Sequence, residues 1–143
     1  MNHHFHMPKE RWIQSLFFLA GGVNFVGIPI FSKFFTNTYL SEVDPATFSS
    51  VSLVIIMLWG LAYIALGFHY QLAPYVSAVF AVEKFFYTGV WIIWMKNNMA
   101  SLPSIYSRDL LTGFFYSVYG ANDFLFGVFF LYVFLRIRKY RPE

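Results

Sequence analysis

Three ionisable side chains, Glu83, Lys84 and Asp123, stand inside long apolar stretches of the chain. At the centre of a membrane helix each costs about 2.5–3.5 kcal/mol to insert, so such groups face protein or water and take a partner. Glu83 and Lys84 are neighbours in sequence but point about a quarter-turn apart on a helix, and so satisfy each other poorly. The expectation is that Lys84 pairs with Asp123 across two helices. Glu83 is then expected to meet Asn24, Asn122, Tyr87 or Tyr119. These seven residues are the candidates for binding a ligand or a proton. The chemistry open to them is an ion pair that fixes helix register, a polar anchor for a small apolar molecule, or a proton relay.

The elements that position them are four apolar segments of spanning length, at about 12–31, 46–68, 75–95 and 110–135, in a single membrane domain over 1–143. About 20 residues cross ~30 Å of hydrocarbon. The second segment begins near Pro45 or Phe48, and Asp44-Pro45 suits a helix start, with Asp44 capping and Pro45 at the first helical position. Ser107 or Asp109 reads as the cap of the fourth. The first is read as a retained span, because it is longer than a signal-peptide core and no small-x-small cleavage site follows it. The connections read as short polar loops. The expected fold is an all-α, integral membrane four-helix bundle, up-down-up-down, with four transmembrane helices.

At ~1.5 Å per residue, Lys84 lies ~14 Å from the Tyr75 end of its helix, Asp123 ~18 Å from Leu135, and Asn24 ~18 Å from Trp12. With the termini on one side, three helices bring polar groups to nearly one level. Small residues set the facing sides, since membrane helices associate by close packing and polar contacts. Gly113, Gly120 and Gly127 recur every seven residues and form one stripe. Three residues on, on the same face, follow Tyr116, Asp123 and Phe130. The device repeats in Gly60–Tyr63, Gly67–Tyr70, Gly21–Asn24 and Ala81–Lys84. Gly21, Gly60, Gly67, Gly113, Gly120 and Gly127 are therefore the expected helix-packing positions.

Composition agrees. Of 143 residues, 58% are hydrophobic and 12% charged, against roughly 45–50% and 25% in soluble domains. A chain of this length buries only ~70% of the surface it exposes unfolded, too little to hide that apolar load in water. Disorder needs the opposite composition. The absence of cysteine removes disulfide scaffolds, thiol redox chemistry and Cys-ligated metal clusters.

The net charge of +3 does not point to nucleic acid, because four of the ten basic residues sit in one run, Arg136 to Arg141, directly after an apolar segment. Around the segment ends, six Lys and Arg (Lys9, Arg11, Arg136, Arg138, Lys139, Arg141) lie on the side of the termini and three (Lys33, Lys96, Arg108) opposite. That excess places both termini in the cytoplasm of a cell with a multi-pass inner-membrane protein. His3, His4 and His6 read as a solvated tail and not a metal site, and His69 as interfacial. No catalytic motif, metal site or cofactor is read from the sequence.

Three functional readings follow. The first is an accessory membrane protein that binds a quinone-like or aromatic molecule in a pocket lined by Tyr63, Tyr87, Trp91, Trp94, Tyr116 and Tyr119. The alternative is a protomer of a proton-coupled small-molecule transporter using Glu83 or Asp123. An enzyme of lipid or isoprenoid chemistry is the third, with only the carboxylates in its favour. Beside them stands a purely structural Lys–Asp pair. The expected partners are the lipid bilayer, a homo-oligomer or larger membrane complex, and an apolar small molecule.

The layout resembles the small four-helix bacterial membrane proteins of the DoxX-like and BphX-like type. The resemblance lies in the length, the four spans with a long first loop, the segment Ala20-Gly21-Gly22-Val23-Asn24-Phe25, and Tyr119-Gly120-Ala121-Asn122-Asp123 in the last helix. Some relatives of that type are associated with quinone-linked sulfur oxidation or aromatic degradation. The resemblance carries no catalytic motif onto positions of this chain.

Overall fold

The computed structural model describes residues 8–140. His3, His4, His6 and Arg141 lie outside them. The described chain is helical throughout, with no strand: α1 (Arg11–Phe31), α2 (Thr38–Val43), α3 (Ser50–Gly67), α4 (Pro74–Asn98), α5 (Leu102–Arg108) and α6 (Leu110–Tyr140). Single 3₁₀ turns lie at Tyr70–Leu72 and Met99–Ser101. Four of the helices, α1, α3, α4 and α6, are long and apolar enough to cross a membrane. Their outer faces remain apolar: Val51, Val54, Ile55, Leu58 and Leu61 of α3 and Val79, Val82, Phe86 and Ile93 of α4 are all exposed.

The first and third connections, expected as polar loops, hold the short helices α2 and α5. The second long helix starts at Ser50, two residues after Phe48 and not at Pro45, because Asp44 closes a turn instead. Its side chain accepts from the Thr47 N–H at 3.3 Å and its carbonyl from the Phe48 N–H at 2.9 Å. Ser49 caps α3, accepting from the Ser52 N–H. The third long helix runs three residues beyond Met95, and the fourth five beyond Leu135.

The long helices pack as two close pairs, α1 with α3 and α4 with α6. Glycine makes this closeness. A Cβ at Gly21 would stand 2.6 Å from the Gly60 carbonyl oxygen, and one at Gly60 2.8 Å from that of Gly21. Gly67 accepts Phe17 and Phe18, Gly120 accepts Trp91 and Gly127 accepts Phe85. Gly113 faces no long helix. It takes the ring of Tyr106 from α5, which therefore packs on the start of α6. Every residue of the small-then-polar pattern is buried: Asn24, Tyr63, Tyr70, Lys84, Tyr116, Asp123 and Phe130 with their glycines or Ala81.

Polar clusters close the two ends. At one, α1 stops in a Schellman-type turn in which the Phe34 N–H donates to the Pro29 carbonyl and the Lys33 N–H to that of Ile30. Lys33, Phe34 and Phe35 all adopt positive φ, 49°, 54° and 65°, a conformation costing non-glycine residues roughly 1–2 kcal/mol each. Ser32 and Asn37 hold it. The Ser32 hydroxyl accepts from the Phe35 N–H, and the Asn37 amide donates to the Phe31 carbonyl and to Thr112 Oγ1. Lys33 pairs with Asp109, which caps α6 by accepting from the Thr112 N–H at 2.8 Å. At the other end Tyr70 Oη accepts from the Glu10 N–H at 2.7 Å, and Arg136 pairs with Glu10.

Burial pushes the Asp109 carboxyl up, but the Lys33 ammonium and Thr112 outweigh it and hold its pKa down at about 2, from an ordinary 3.8. A carboxyl whose folded pKa is depressed contributes stability that is complete above the unfolded value and lost as pH falls toward the folded one. Detergent-solubilised protein is therefore expected to lose thermal stability between about pH 4 and pH 2. Asp109→Asn should lose less over the same window, and an equal loss in both proteins would refute this.

Candidate functional site

α4 carries the centre of the site. Ala81 and Lys84 share its inward face, and Lys84 is 2% exposed. Its ammonium donates to Asp123 Oδ1 at 2.7 Å and to Asn24 Oδ1 at 3.2 Å. The third direction holds the Tyr63 ring, whose centroid is 5.3 Å from Nζ. Three donors thus meet a carboxylate, an amide oxygen and an aromatic face, which is all a lysine can use. Asn24 passes the network on by donating to the Ile56 carbonyl at 3.1 Å. Asp123, 8% exposed, accepts also from the Asn122 amide at 3.3 Å. Thr88, one turn beyond Lys84, donates to the Lys84 carbonyl and lies 3.3 Å from the Gly120 carbonyl.

The structure therefore brings Asn24, Lys84, Asn122 and Asp123 together. It corrects the expectation for Glu83. That carboxylate accepts from the Tyr63 hydroxyl, and not from Asn24, Asn122, Tyr87 or Tyr119. The quarter-turn between Glu83 and Lys84 sends the glutamate toward α3, where Tyr63 stands one turn after Gly60. Tyr63 is thus the partner that pairwise reasoning missed, although its place on the Gly60 face was a signal for it.

Removing the Tyr63 hydroxyl isolates this carboxylate. Leaving a buried polar group unpaired costs about 1–3 kcal/mol, so Tyr63→Phe is expected to lower unfolding stability in detergent by that amount. Glu83→Gln in the Tyr63→Phe background should add less than it does alone, because the two groups share one interaction. Strict additivity would exclude a functional link between them.

Between the two helix pairs lies a cavity of about 220 Å³ whose lining surface is mostly apolar. Asn24, Glu83, Lys84, Tyr87, Tyr119, Asn122 and Asp123 all border it, which places every candidate residue on one wall system. The aromatic lining differs from expectation. Tyr63, Trp91, Trp94 and Tyr116 do not border the cavity, whereas Phe31, Phe48, Phe114 and Phe115 do. Trp91 instead donates its indole N–H to the Tyr116 carbonyl at 2.8 Å, Trp94 packs on Tyr116 with centroids 4.7 Å apart, and the Tyr116 hydroxyl donates to the Leu40 carbonyl. These three build the end of the bundle under α2. Phe115, Tyr119 and Asn122 recur at i, i+4 and i+7, a spacing that marks one face and could have disclosed Phe115.

Such an arrangement can hold a flat apolar group against a donor and acceptor cluster. It can equally pin helix register with no ligand. No protein-family model, curated protein or solved structure matches this chain.

Proposed function

We propose that the chain is a small polytopic inner-membrane protein, with four spans running up-down-up-down and both termini cytoplasmic, that binds a quinone-like or aromatic molecule in the central cavity. The observation carrying this reading is the meeting of an apolar cavity with a buried, hydrogen-bonded charge cluster, the combination that small-molecule sites use for affinity and orientation. Support for the topology comes from the contact order. Phe17 meets Gly67 and Asn24 meets Ile56, while Trp91 meets Tyr116 and Phe85 meets Gly127, so the partners within each pair run in opposite directions. The basic residues at Lys9, Arg11, Arg136, Arg138 and Lys139 favour the cytoplasmic side for that end. A place among the DoxX-like proteins accords with the layout and is part of the proposal, as is assembly into a homo-oligomer or larger membrane complex.

Mass spectrometry of molecules retained after mild detergent extraction tests it. A quinone or aromatic compound is expected in the wild type and absent from Lys84→Met, and extraction of lipid alone from both would sink the reading. The alternative, a proton-coupled transporter protomer, draws on one observation: Glu83 borders the cavity with a proton-bearing partner, Tyr63. Proton-driven uptake in vesicles that disappears in Glu83→Gln would favour it over the first.

A further inference from the structure

We infer that the bound molecule is a ring-headed amphiphile drawn from the hydrocarbon of the bilayer, its head in the cavity and its alkyl tail leaving the bundle between α1 and α6 beside Gly27; this rests on the binding reading above. Size argues first. A cavity of about 220 Å³ falls below the ~300–1,000 Å³ that drug-sized ligands need, so it accommodates a ring system and leaves no room for a chain.

The rim argues second. Among the lining residues, Val23 of α1 (38%) and Phe114 of α6 (50%) are the exposed ones, one on each of the two helices that border the seam between the pairs. At Gly27, on the same seam, a Cβ would meet nothing within 4 Å. The packing glycines of this chain are all filled by a neighbour, whereas this cavity-lining glycine is not. A gap there gives lateral access from lipid. Toward the loop end, by contrast, Phe48 is 1% exposed and packs edge-on against Phe115 and Tyr119 at 4.9 Å each, standing there as a plug.

The inner wall supplies the head's partners. Tyr119 is 7% exposed and borders the cavity, and its hydroxyl is buried with no hydrogen-bond partner. An orphaned buried donor of this kind is destabilising and suits a ligand carbonyl or hydroxyl oxygen. The Phe115 and Tyr119 rings, stacked at 5.3 Å with 26° between their planes, offer a flat surface beside it.

The test uses two probes, a methyl-substituted benzoquinone and the same ring with a decyl chain. Each is titrated against full-length protein in phosphatidylcholine–phosphatidylglycerol vesicles, with tryptophan fluorescence as readout and concentrations expressed per lipid. Both are expected to bind the wild type. Gly27→Trp should weaken the decyl probe at least tenfold and the methyl probe less than threefold, with an unchanged unfolding temperature. Val118→Trp, on the opposite lip, should repeat that selectivity. Equal weakening of both probes, or no weakening of either, overturns the tail path while leaving cavity binding intact. Failure of both probes to bind the wild type overturns the binding reading and this inference with it. Loss of both in Lys84→Met supports the shared head site.

Discussion

Lys84→Met is expected to lower the unfolding free energy by about 3–5 kcal/mol, the usual result of removing one member of a buried ion pair and stranding the other. Asp123 would keep only the Asn122 amide at 3.3 Å. Asp123→Asn should be milder, because the ammonium retains Asn24 and the Tyr63 ring face, and an amide oxygen can replace one carboxylate oxygen as acceptor. The double replacement should be gentler than the summed singles by about 0.5–3 kcal/mol, the range seen for residues in direct contact. Chemical or thermal unfolding of the four proteins in one detergent measures this. Full additivity would mean that the two charges do not stabilise each other, and the polar centre would lose its keystone. The Met variant also separates stability from binding, since a protein that remains folded yet retains its ligand would exclude Lys84 as the anchor.

Gly60→Ala is the second large effect. A methyl at this position meets the Gly21 carbonyl oxygen at 2.8 Å and the Phe25 nitrogen at 3.0 Å, both backbone atoms that cannot rotate aside. Relief requires α1 and α3 to separate, and overpacking of this kind costs about 1–3 kcal/mol or more. Separation would also stretch the 3.1 Å bond from Asn24 to the Ile56 carbonyl, and so reach the Lys84 network. Gly22→Ala and Gly89→Ala provide the contrast. A methyl there meets nothing within 4 Å, and replacing helical glycine by alanine stabilises by up to about 1 kcal/mol. Equal effects at Gly60 and Gly22 would show that close helix approach is not what the glycines serve.

The sequence revealed the long helices and the centre of the site for one reason. Both depend on rules that act along a single helix: hydrophobic length, and the three-residue offset from a packing glycine to a polar group. Asn24, Lys84 and Asp123 could be placed at one depth by counting residues. What needs the rotation of one helix against another could not be read in the same way. Glu83 found Tyr63 because the α1–α3 and α4–α6 pairs face each other at an angle that no single helix records. The Phe48 plug comes from a connection, where no periodicity fixes direction. The short helices α2 and α5 escaped because six or seven polar-rich residues are too few to show a repeat. Asp44-Pro45 misplaced the start of α3 because the same pair suits a turn as well as a cap.

The two close helix pairs meet each other through side chains: the Lys84–Asn24 and Tyr63–Glu83 bonds and the cluster of Phe17, Tyr63, Phe80 and Phe130 inside, and the Lys33–Asp109, Asn37–Thr112 and Arg136–Glu10 contacts at the ends. In the short link over 68–73, Tyr70 stacks on Phe17 and meets Glu10, both on the first pair's side, so a cut after it leaves those contacts whole. A gene split between Gln71 and Leu72 should yield two polypeptides, each a self-contained hairpin, that find one another in the same bilayer and co-purify through a tag on either half. Lys84 reaching across would be one part of their recognition, so the same split carrying Lys84→Met should co-purify more weakly.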